Sequence, residues 1–469
     1  MSAAATGPTA AGSALTGAGL RGVDADAEGV PRVLLRLLDP RSRPDPYPVY
    51  EEIRAAEPVW VPHRPVVVFA SHRACAAVLR DPRASNDRRH SLLHRQPGPA
   101  GGSAAARPPV ELPSFLFMDP PRHTALRRLA APGFTPRAVR RLVPVIKELI
   151  DDLLDEAAAK GRLDGVADLA SPLPVTVICR VLGVDTGEQG WYRTRSSLLG
   201  RAVDPYPAFL QVPAPGLARR RRAEAELTGF FSRLAAERRA APREDMMSRL
   251  LAAEIDGEPL SDEEVVTTCR LLLNAGHETT VGLIANGLLT VLEHPETLTA
   301  LRADPAATAP AVVEEILRLQ PPLQLVHRHA REDMEVCGTR IPRGTTMVLL
   351  LAGANRDVAA YGCPHRFDTT RTEAAPHLSF GLGTHYCLGA PLGRIEAELA
   401  LTRFAQRVVG PEPSGGPPRY RPHVVLRGPV SLPLRIAGIL DRTTPWDAAP
   451  DPPETIAPHG TPSRMRRHG

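Results

Sequence analysis

Lysine is almost absent from this 469-residue chain: only two of its 57 basic residues are lysines, Lys147 and Lys160. Aromatic residues are also scarce, at 4% of the sequence. Because single-stranded nucleic acids stack on aromatic side chains placed among basic ones, the net charge of +5 does not indicate a nucleic-acid partner. The basic run Arg219–Arg222 is accordingly interpreted as the solvated face of a helix.

Paired cysteines and targeting signals are missing as well. The six cysteines include no C-x-x-C pair, which argues against a zinc ribbon and against a thioredoxin-type site. No basic segment followed by an apolar one opens the chain, so no secretory signal is expected. The apolar stretch Leu271–Leu292 contains Glu278, and a charge there favours a buried helix over a membrane span. We therefore expect a cytoplasmic protein without a membrane partner.

The composition predicts a globular body between two disordered ends. Apolar residues make up 43% of the chain, which is enough for a large core. Residues 1–30 hold few large apolar side chains, and residues 441–469 are rich in proline and mildly basic. Both ends are therefore predicted to be disordered. Residues 31–440 are predicted to form one catalytic domain.

Apolar residues at helical spacing predict a body that is mainly α with a minor β component. Capping residues at Asp119, Thr135, Ser261 and Thr308 mark predicted helix starts, and the helix from Ser261 is expected to run to Leu292. Short β-like runs occupy Trp60–Phe69, Met334–Ile341, Thr346–Leu351 and Val424–Leu434. Two stretches without periodicity, Ala84–Ser114 and Val203–Gly216, are predicted to be irregular loops.

The string FGLGTHYCLGAPLGRIE, from Phe380 onward, carries the strongest chemical signal. Its glycines, among them Gly381 and Gly389, let backbone N–H groups approach the sulfur of Cys387. A helix is predicted to follow, with its positive end toward the same sulfur. Both features favour a thiolate, which is a strong soft ligand for iron. A dinucleotide-binding fingerprint is rejected because its third glycine is missing.

This string closely resembles the haem-binding loop of the cytochrome P450 family, the haem-thiolate monooxygenases, at each defining position. The chain is similar to a soluble bacterial member over roughly residues 45 to 435. The resemblance implies the cytochrome P450 fold, with haem b (iron protoporphyrin IX) between the long central helix and the helix after the cysteine loop. It also implies that Cys387 is the axial iron ligand. Phe380, Gly381 and Gly389 would contact the cofactor.

A second motif, NAGHETT, lies in the long helix. A carboxylate and a hydroxyl, here Glu278 and Thr279, can order water and relay protons in an apolar cavity. The resemblance implies that this pair supplies protons during oxygen activation, and that Ala275 and Gly276 form the oxygen groove. A zinc protease is rejected, because its motif needs a histidine where Val281 stands.

Two further groups of charged residues match the family. Glu315 and Arg318 lie three apart on one helix, and with Arg366 they resemble the family's buried ion cluster, which is structural. Four cationic or ring-nitrogen side chains would bind the two haem propionates, because arginine pairs with carboxylates in a bidentate manner. These are His123, Arg127, Arg328 and His385. Arg128 would help form a positive surface for an acidic ferredoxin.

The predicted function is a monooxygenase that inserts one oxygen atom of O2 into an apolar small molecule, most simply by hydroxylation. Electrons would come from a ferredoxin and an NAD(P)H-dependent ferredoxin reductase, and secondary metabolism is favoured over nutrient breakdown. The resemblance places mainly aliphatic residues around the substrate: Leu272, Leu273, Leu325, Val326, Pro429 and Val430. Two other functions stay open, a peroxide-driven haem-thiolate enzyme and a non-enzymatic haem-binding sensor.

Overall fold

A long buried helix, Asp262–Glu293, organises the structure, a computed structural model that describes residues 30–95, 114–185, 187, 189–199, 209–210, 216–372 and 375–446. Ser261 begins this helix with a capping box: its hydroxyl accepts from the Glu264 N–H, and the Glu264 carboxylate accepts from the Ser261 N–H. The predicted start and length of this helix are thereby confirmed. Most of its side chains are buried, as the apolar sequence requires.

Helices account for most of the described chain, which confirms the predicted fold class. In chain order they are α1 (Arg32–Leu38), α2 (Tyr47–Ala55), α3 (His72–Arg80), α4 (Leu92–Arg95), α5 (Arg122–Ala130), α6 (Pro136–Lys160), α7 (Pro172–Leu182), α8 (Gln189–Leu199), α9 (Leu217–Ala240), α10 (Met246–Leu251), α11 (Asp262–Glu293), α12 (Pro295–Ala303), α13 (Pro305–Leu319), α14 (Leu351–Ala354) and α15 (Ala390–Arg407). A π-helical turn, Gly165–Ala170, precedes α7.

The strands are short. They are β1 (Val59–Trp60), β2 (Val66–Phe69), β3 (Ala84–Ser85), β4 (Leu163–Asp164), β5 (Glu254–Ile255), β6 (Glu258–Pro259), β7 (Val326–Ala330), β8 (Met334–Val336), β9 (Thr339–Ile341), β10 (Thr346–Leu349), β11 (Val408–Val409), β12 (Glu412–Pro413), β13 (Pro433–Arg435) and β14 (Gly438–Ile439). The largest sheet has the order β1-β2-β10-β7-β3, in which only β2 and β10 run parallel. Strand β7 was not predicted, and most of Val424–Leu434 is not a strand.

The main core forms around α11, which packs against α7, α9 and α15. Two smaller apolar clusters flank the five-stranded sheet, one under α1 and α2 and the other under α3. The sheet and the helical body therefore bury separate apolar surfaces. One helical stretch of the described residues, Gly165–Leu182, is long and apolar enough to cross a membrane, but 72% of it is buried inside the protein, as in any core helix.

Two predicted helix starts are wrong. Helix α5 begins at Arg122, and Asp119 does not cap it; the Asp119 carboxylate accepts hydrogen bonds from Ser85 and Asn86 instead. Helix α13 begins one turn before Thr308, where the carboxylate of Asp304 accepts from the Ala307 N–H. The predicted cap at Thr135 is confirmed, since its hydroxyl accepts from the Ala138 N–H.

The predicted loops and tails are described only in part. Within Ala84–Ser114, the described residues form β3, a 3-10 turn at Arg88–His90 and α4, so this part is more regular than expected. Residues 96–113, most of 203–216, and the ends 1–29 and 447–469 lie outside the described residues. Residues 441–446 are held in place: Arg442 pairs with Asp152 and Asp155, and the Trp446 indole donates to Asp151.

Candidate active site

A cavity of about 1670 Å³ lies between α11 and the loop that precedes α15. Its wall includes Cys387 on one side and Ala275, Gly276 and Thr279 on the other. Pockets for one drug-sized ligand usually measure roughly 300–1,000 Å³, so this cavity has room for a large planar cofactor together with a second molecule. The two strongest sequence motifs thus meet in one space.

Glycine conformations shape the loop around Cys387. Gly381 and Gly383 both have positive φ angles, of 67° and 68°. A Cβ atom at Gly383 would stand 2.6 Å from the carbonyl oxygen of Leu79, so the loop can pack against α3 only with glycine there. The Cys387 N–H donates to the Phe380 carbonyl at 2.8 Å, and Gly389 is the N-cap residue of α15. The predicted tight loop and the following helix are both present.

Burial opposes ionisation of the Cys387 thiol. It raises the pKa of Cys387, while the Gly389 and Ala390 N–H groups and the charges of Arg127 and Arg394 act in the opposite direction. The N–H groups of the loop and helix favour the thiolate as predicted, but desolvation outweighs them. A coordinated metal ion deprotonates a thiol outright, so these donors fit a sulfur that also binds a cation. Among the described residues no cluster of three or more metal-ligating side chains exists.

The four predicted propionate ligands converge on the cavity. His123, Arg127, Arg328 and His385 all line it. The rings of His123 and His385 lie 4.1 Å apart, centroid to centroid, and both ring nitrogens of His123 are buried without a hydrogen-bond partner. Arg127 donates to the Tyr386 carbonyl at 2.6 Å and Arg328 to the His327 carbonyl at 2.8 Å. Neither arginine forms an ion pair with a carboxylate in the described part of the chain.

The electrostatics of this cluster favour a negatively charged group beside it. Burial, reinforced by the charge of Arg127, lowers the pKa of His123 to about 4. Burial, together with Arg328 and His123, lowers the pKa of His385 to about 3. Burial also lowers the pKa of Arg328 to about 10. Unsatisfied donors and destabilised cations beside one cavity fit an anionic cofactor with two carboxylates, such as haem.

Helix α11 contributes the polar residues of the opposite wall. It remains α-helical through Ala275 and Gly276, where a Cβ on Gly276 would come within 3.0 Å of Ile178 of α7. The Thr279 hydroxyl donates to the Ala275 carbonyl at 2.7 Å. Glu278 is buried, lines the cavity and forms an ion pair with Arg421. The acid and the alcohol therefore both reach the cavity from one helical turn.

The predicted ion cluster exists, but its second arginine is Arg371 instead of Arg366. Glu315 receives two hydrogen bonds from Arg318, each of 2.7 Å, and one from Arg371 at 3.0 Å. The side chain of Arg366 points outward, is 68% exposed and pairs with Asp368. Only the Arg366 carbonyl joins the cluster, as acceptor for Arg318 and Arg371. The PHRF string marked the correct loop but the wrong side chain.

Two of the six predicted substrate-wall residues line the cavity. Leu272 and Val326 line the cavity, whereas Leu273, Leu325, Pro429 and Val430 do not. Leu273 and Leu325 are buried in the apolar core, because the next residue on a helix or strand faces another direction. Val430 is 40% exposed. The aliphatic lining residues that were missed include Leu271, Leu323, Val425 and Leu426.

The fold and the cavity define a helical protein with a cysteine-centred haem site. A family model described as "Cytochrome P450" matches residues 58–426 of the chain. The chain belongs to the cytochrome P450 family, and it is a monooxygenase that uses a haem-iron cofactor.

Three similar proteins illustrate this membership. The chain is 39% identical over 401 residues to cytochrome P450 monooxygenase PikC of Streptomyces venezuelae, a match that covers 83% of the chain and 91% of the relative. It is 39% identical over 369 residues to the vitamin D(3) 25-hydroxylase of Pseudonocardia autotrophica, covering 77% and 86%. The crystal structure of Mycobacterium smegmatis CYP164A2 superposes with a TM-score of 0.79 at 42% identity, covering 86% and 99%.

Proposed function

We propose that this monooxygenase hydroxylates a medium-to-large apolar small molecule in secondary metabolism, in the cytoplasm. The observation that carries this proposal is the single cavity of about 1670 Å³ that contains both Cys387 and an aliphatic wall. The wall includes Leu271, Leu272, Val425 and Leu426. Their side chains can make dispersion contacts with the carbon skeleton of a substrate but cannot form hydrogen bonds with it. A relative named as a vitamin D(3) 25-hydroxylase supports a large apolar substrate.

The cofactor would be haem b, held by residues from three parts of the chain. The Cys387 sulfur would bind the iron, and Phe380, Gly381 and Gly389 would border the cofactor on that side. His123, Arg127, Arg328 and His385 would donate to its propionates. When bound, the haem iron activates O2 with two electrons, so that one oxygen atom enters the substrate and the other leaves as water, with uptake of two protons.

The protons would be passed by Glu278 and Thr279. Both side chains border the cavity, and the Glu278 carboxylate is buried. Ala275 and Gly276 line this wall, and O2 would lie against them. The position of a Gly276 side chain is taken up by Ile178 of α7, so Gly276 would border the O2 site with its backbone. An acid and an alcohol at this place favour O2-dependent turnover over a peroxide-driven enzyme or a haem sensor, neither of which needs a proton relay.

Electrons would come from an acidic ferredoxin reduced by an NAD(P)H-dependent ferredoxin reductase. Arg128 is exposed on α5, the helix that also carries His123 and Arg127. A cation there would attract an acidic partner by long-range electrostatics. Arg128→Glu is expected to slow reduction by such a ferredoxin and to weaken its salt dependence; unchanged rates would contradict this docking surface.

The decisive test combines spectroscopy with product analysis. Reduced holoprotein exposed to carbon monoxide should show the red-shifted absorption of sulfur-ligated haem, and Cys387→Ala should abolish it. Candidate apolar natural products that shift the Soret band of the ferric protein should then be converted in the presence of O2, ferredoxin and NAD(P)H. Turnover with peroxide alone, or binding without any product, would instead support one of the two other functions.

A further inference from the structure

The buried carboxylate of Glu278 is contacted by one cation from outside its own helix. That cation is Arg421, which forms an ion pair with Glu278 from the segment that follows α15. The side chain of Glu278 is 4% exposed and that of Arg421 is 17% exposed. The guanidinium therefore lies between the buried acid and the solvent.

Arg421 is held in place by a narrow hairpin. Tyr420 and Pro429 form an antiparallel bridge, and the Arg421 N–H donates to the Gly428 carbonyl at 3.2 Å. The Arg427 guanidinium stacks over the Tyr420 ring at 4.3 Å and donates to the carbonyls of Arg43 and Pro44. The hairpin also contacts α11, where the Asn286 amide donates to the Arg427 carbonyl at 3.2 Å. Arg421 is therefore held between the N-terminal part of the fold and the helix that carries Glu278.

The other titratable group beside Glu278 is His277, which carries no charge at neutral pH. Its Nδ1 lies 3.7 Å from a Glu278 oxygen and 2.8 Å from the Ser196 hydroxyl of α8. Burial, together with the charge of Arg421, lowers the pKa of His277 to about 3. Arg193 of α8 also acts on His277 through its charge but forms no ion pair with Glu278. Arg421 is therefore the cation in contact with Glu278 among the described residues.

We propose that Arg421 is a positioning residue for proton delivery, which holds the Glu278 carboxylate ionised and oriented at the border between solvent and the active-site cavity. This inference rests on the proposed function, in which Glu278 passes protons. Without a neighbouring cation, a buried carboxylate binds a proton more tightly and loses its fixed orientation. It would then no longer release that proton between turnovers. The hairpin would thus govern how readily the acid exchanges protons.

The test compares Arg421→Gln, Arg421→Lys and Arg419→Gln holoproteins with the unsubstituted holoprotein. Arg419 is the matched control, because it is an exposed arginine of the same hairpin without an ion pair to Glu278. The protonation of Glu278 is followed by infrared difference spectroscopy against pH, and the carboxyl band is assigned with Glu278→Gln. The fraction of NAD(P)H that yields product is measured in parallel, together with the carbon monoxide spectrum.

Arg421→Gln is expected to raise the proton affinity of Glu278 by about tenfold or more, because an adjacent opposite charge shifts a carboxyl pKa by about 1–3 units. It should also lower the product formed per NAD(P)H, whereas Arg421→Lys restores most of both and Arg419→Gln changes neither. An unchanged titration in folded Arg421→Gln, or an equal shift in Arg419→Gln, overturns the inference. If Arg421→Gln does not fold, Arg421→Lys decides: a smaller rise in the proton affinity of Glu278 relative to Arg419→Gln supports the inference, and no rise overturns it. Failure of the proposed function would appear separately, as an unsubstituted protein without the sulfur-ligated haem spectrum.

Discussion

Replacing Arg371 and Arg366 separately distinguishes the ion cluster seen in the structure from the one that the sequence motif predicts. Arg371 is 11% exposed, contacts Glu315 and donates to the carbonyls of Gly362 and Cys363 at 2.6 and 2.8 Å. Arg366 is mostly exposed, and its contribution to the cluster is a backbone carbonyl that any residue would supply. We therefore predict that Arg371→Leu destabilises the protein and that Arg366→Leu hardly does.

The magnitude follows from burial. Glu315 and Arg318 are 5% and 4% exposed, so a Glu315 carboxylate that loses Arg371 stays away from water with one cation instead of two. Removing one partner from a buried ion pair costs about 3–5 kcal/mol. Two carbonyls would also lose their donor, which adds to the cost. The Arg366–Asp368 pair is screened by solvent and contributes little.

Denaturant unfolding of the two purified holoproteins checks this prediction, with retention of the cofactor as a second observable. Arg371→Leu should lower the midpoint and release haem at lower denaturant, while Arg366→Leu should follow the unsubstituted protein. Equal losses in both variants, or a larger loss for Arg366→Leu, would refute the assignment of Arg371 to the cluster.

Three further predictions concern the cavity wall, the proton relay and the pairing of Glu314 with His377 and Arg394. Leu271 lines the cavity, so Leu271→Phe should alter which ligands shift the Soret band without a large loss of stability. Leu273 lies in the core, so Leu273→Ala should lower the unfolding free energy by about 2–5 kcal/mol and leave the ligand preference unchanged. Thr279→Val should reduce product formation by about 100-fold or more if its hydroxyl relays protons, as measured against NAD(P)H consumption; coupled turnover at the normal rate would argue against the relay. Burial raises the pKa of Glu314, but hydrogen bonds from His377 and Arg394 outweigh burial and lower this pKa from 4.5 to about 2. The ionised carboxylate therefore stabilises the fold above about pH 4.5, and this contribution is lost as the pH falls toward 2. Glu314→Gln should therefore flatten the dependence of unfolding free energy on pH in that window, and an unchanged slope would contradict the pairing.

Local signals predicted the parts of this protein that depend on neighbouring residues in the chain. The capping box at Ser261, the cap at Thr135 and the glycine-rich turn before Cys387 each involve residues within a few positions of one another. Such contacts form in the same way wherever the segment lies, so a sequence pattern is enough to predict them. The family motif then placed Cys387, Glu278 and Thr279 on one cavity.

Long-range partners could not be predicted in the same way. Asp119 has a cap-like sequence context, but Ser85 and Asn86 engage its carboxylate across the fold. Arg371 and Arg366 stand five positions apart, and only the course of the loop decides which of them turns inward. Arg421 has no sequence signal at all, because its partner lies 143 positions earlier in the chain. Contacts of this kind depend on tertiary packing, which single-residue patterns do not encode.

The same features that identify the haem site also make it costly to form without its cofactor. His123 has two buried ring nitrogens without partners, the pKa of Arg328 is lowered to about 10 by burial, and burial raises the pKa of the Cys387 thiol. Each of these groups lacks the charge that would offset its desolvation, and each faces the same cavity. An anionic macrocycle with a central cation supplies both missing charges at once. Cofactor binding and folding stability are therefore thermodynamically linked, and the cavity should be most stable when the haem is in place.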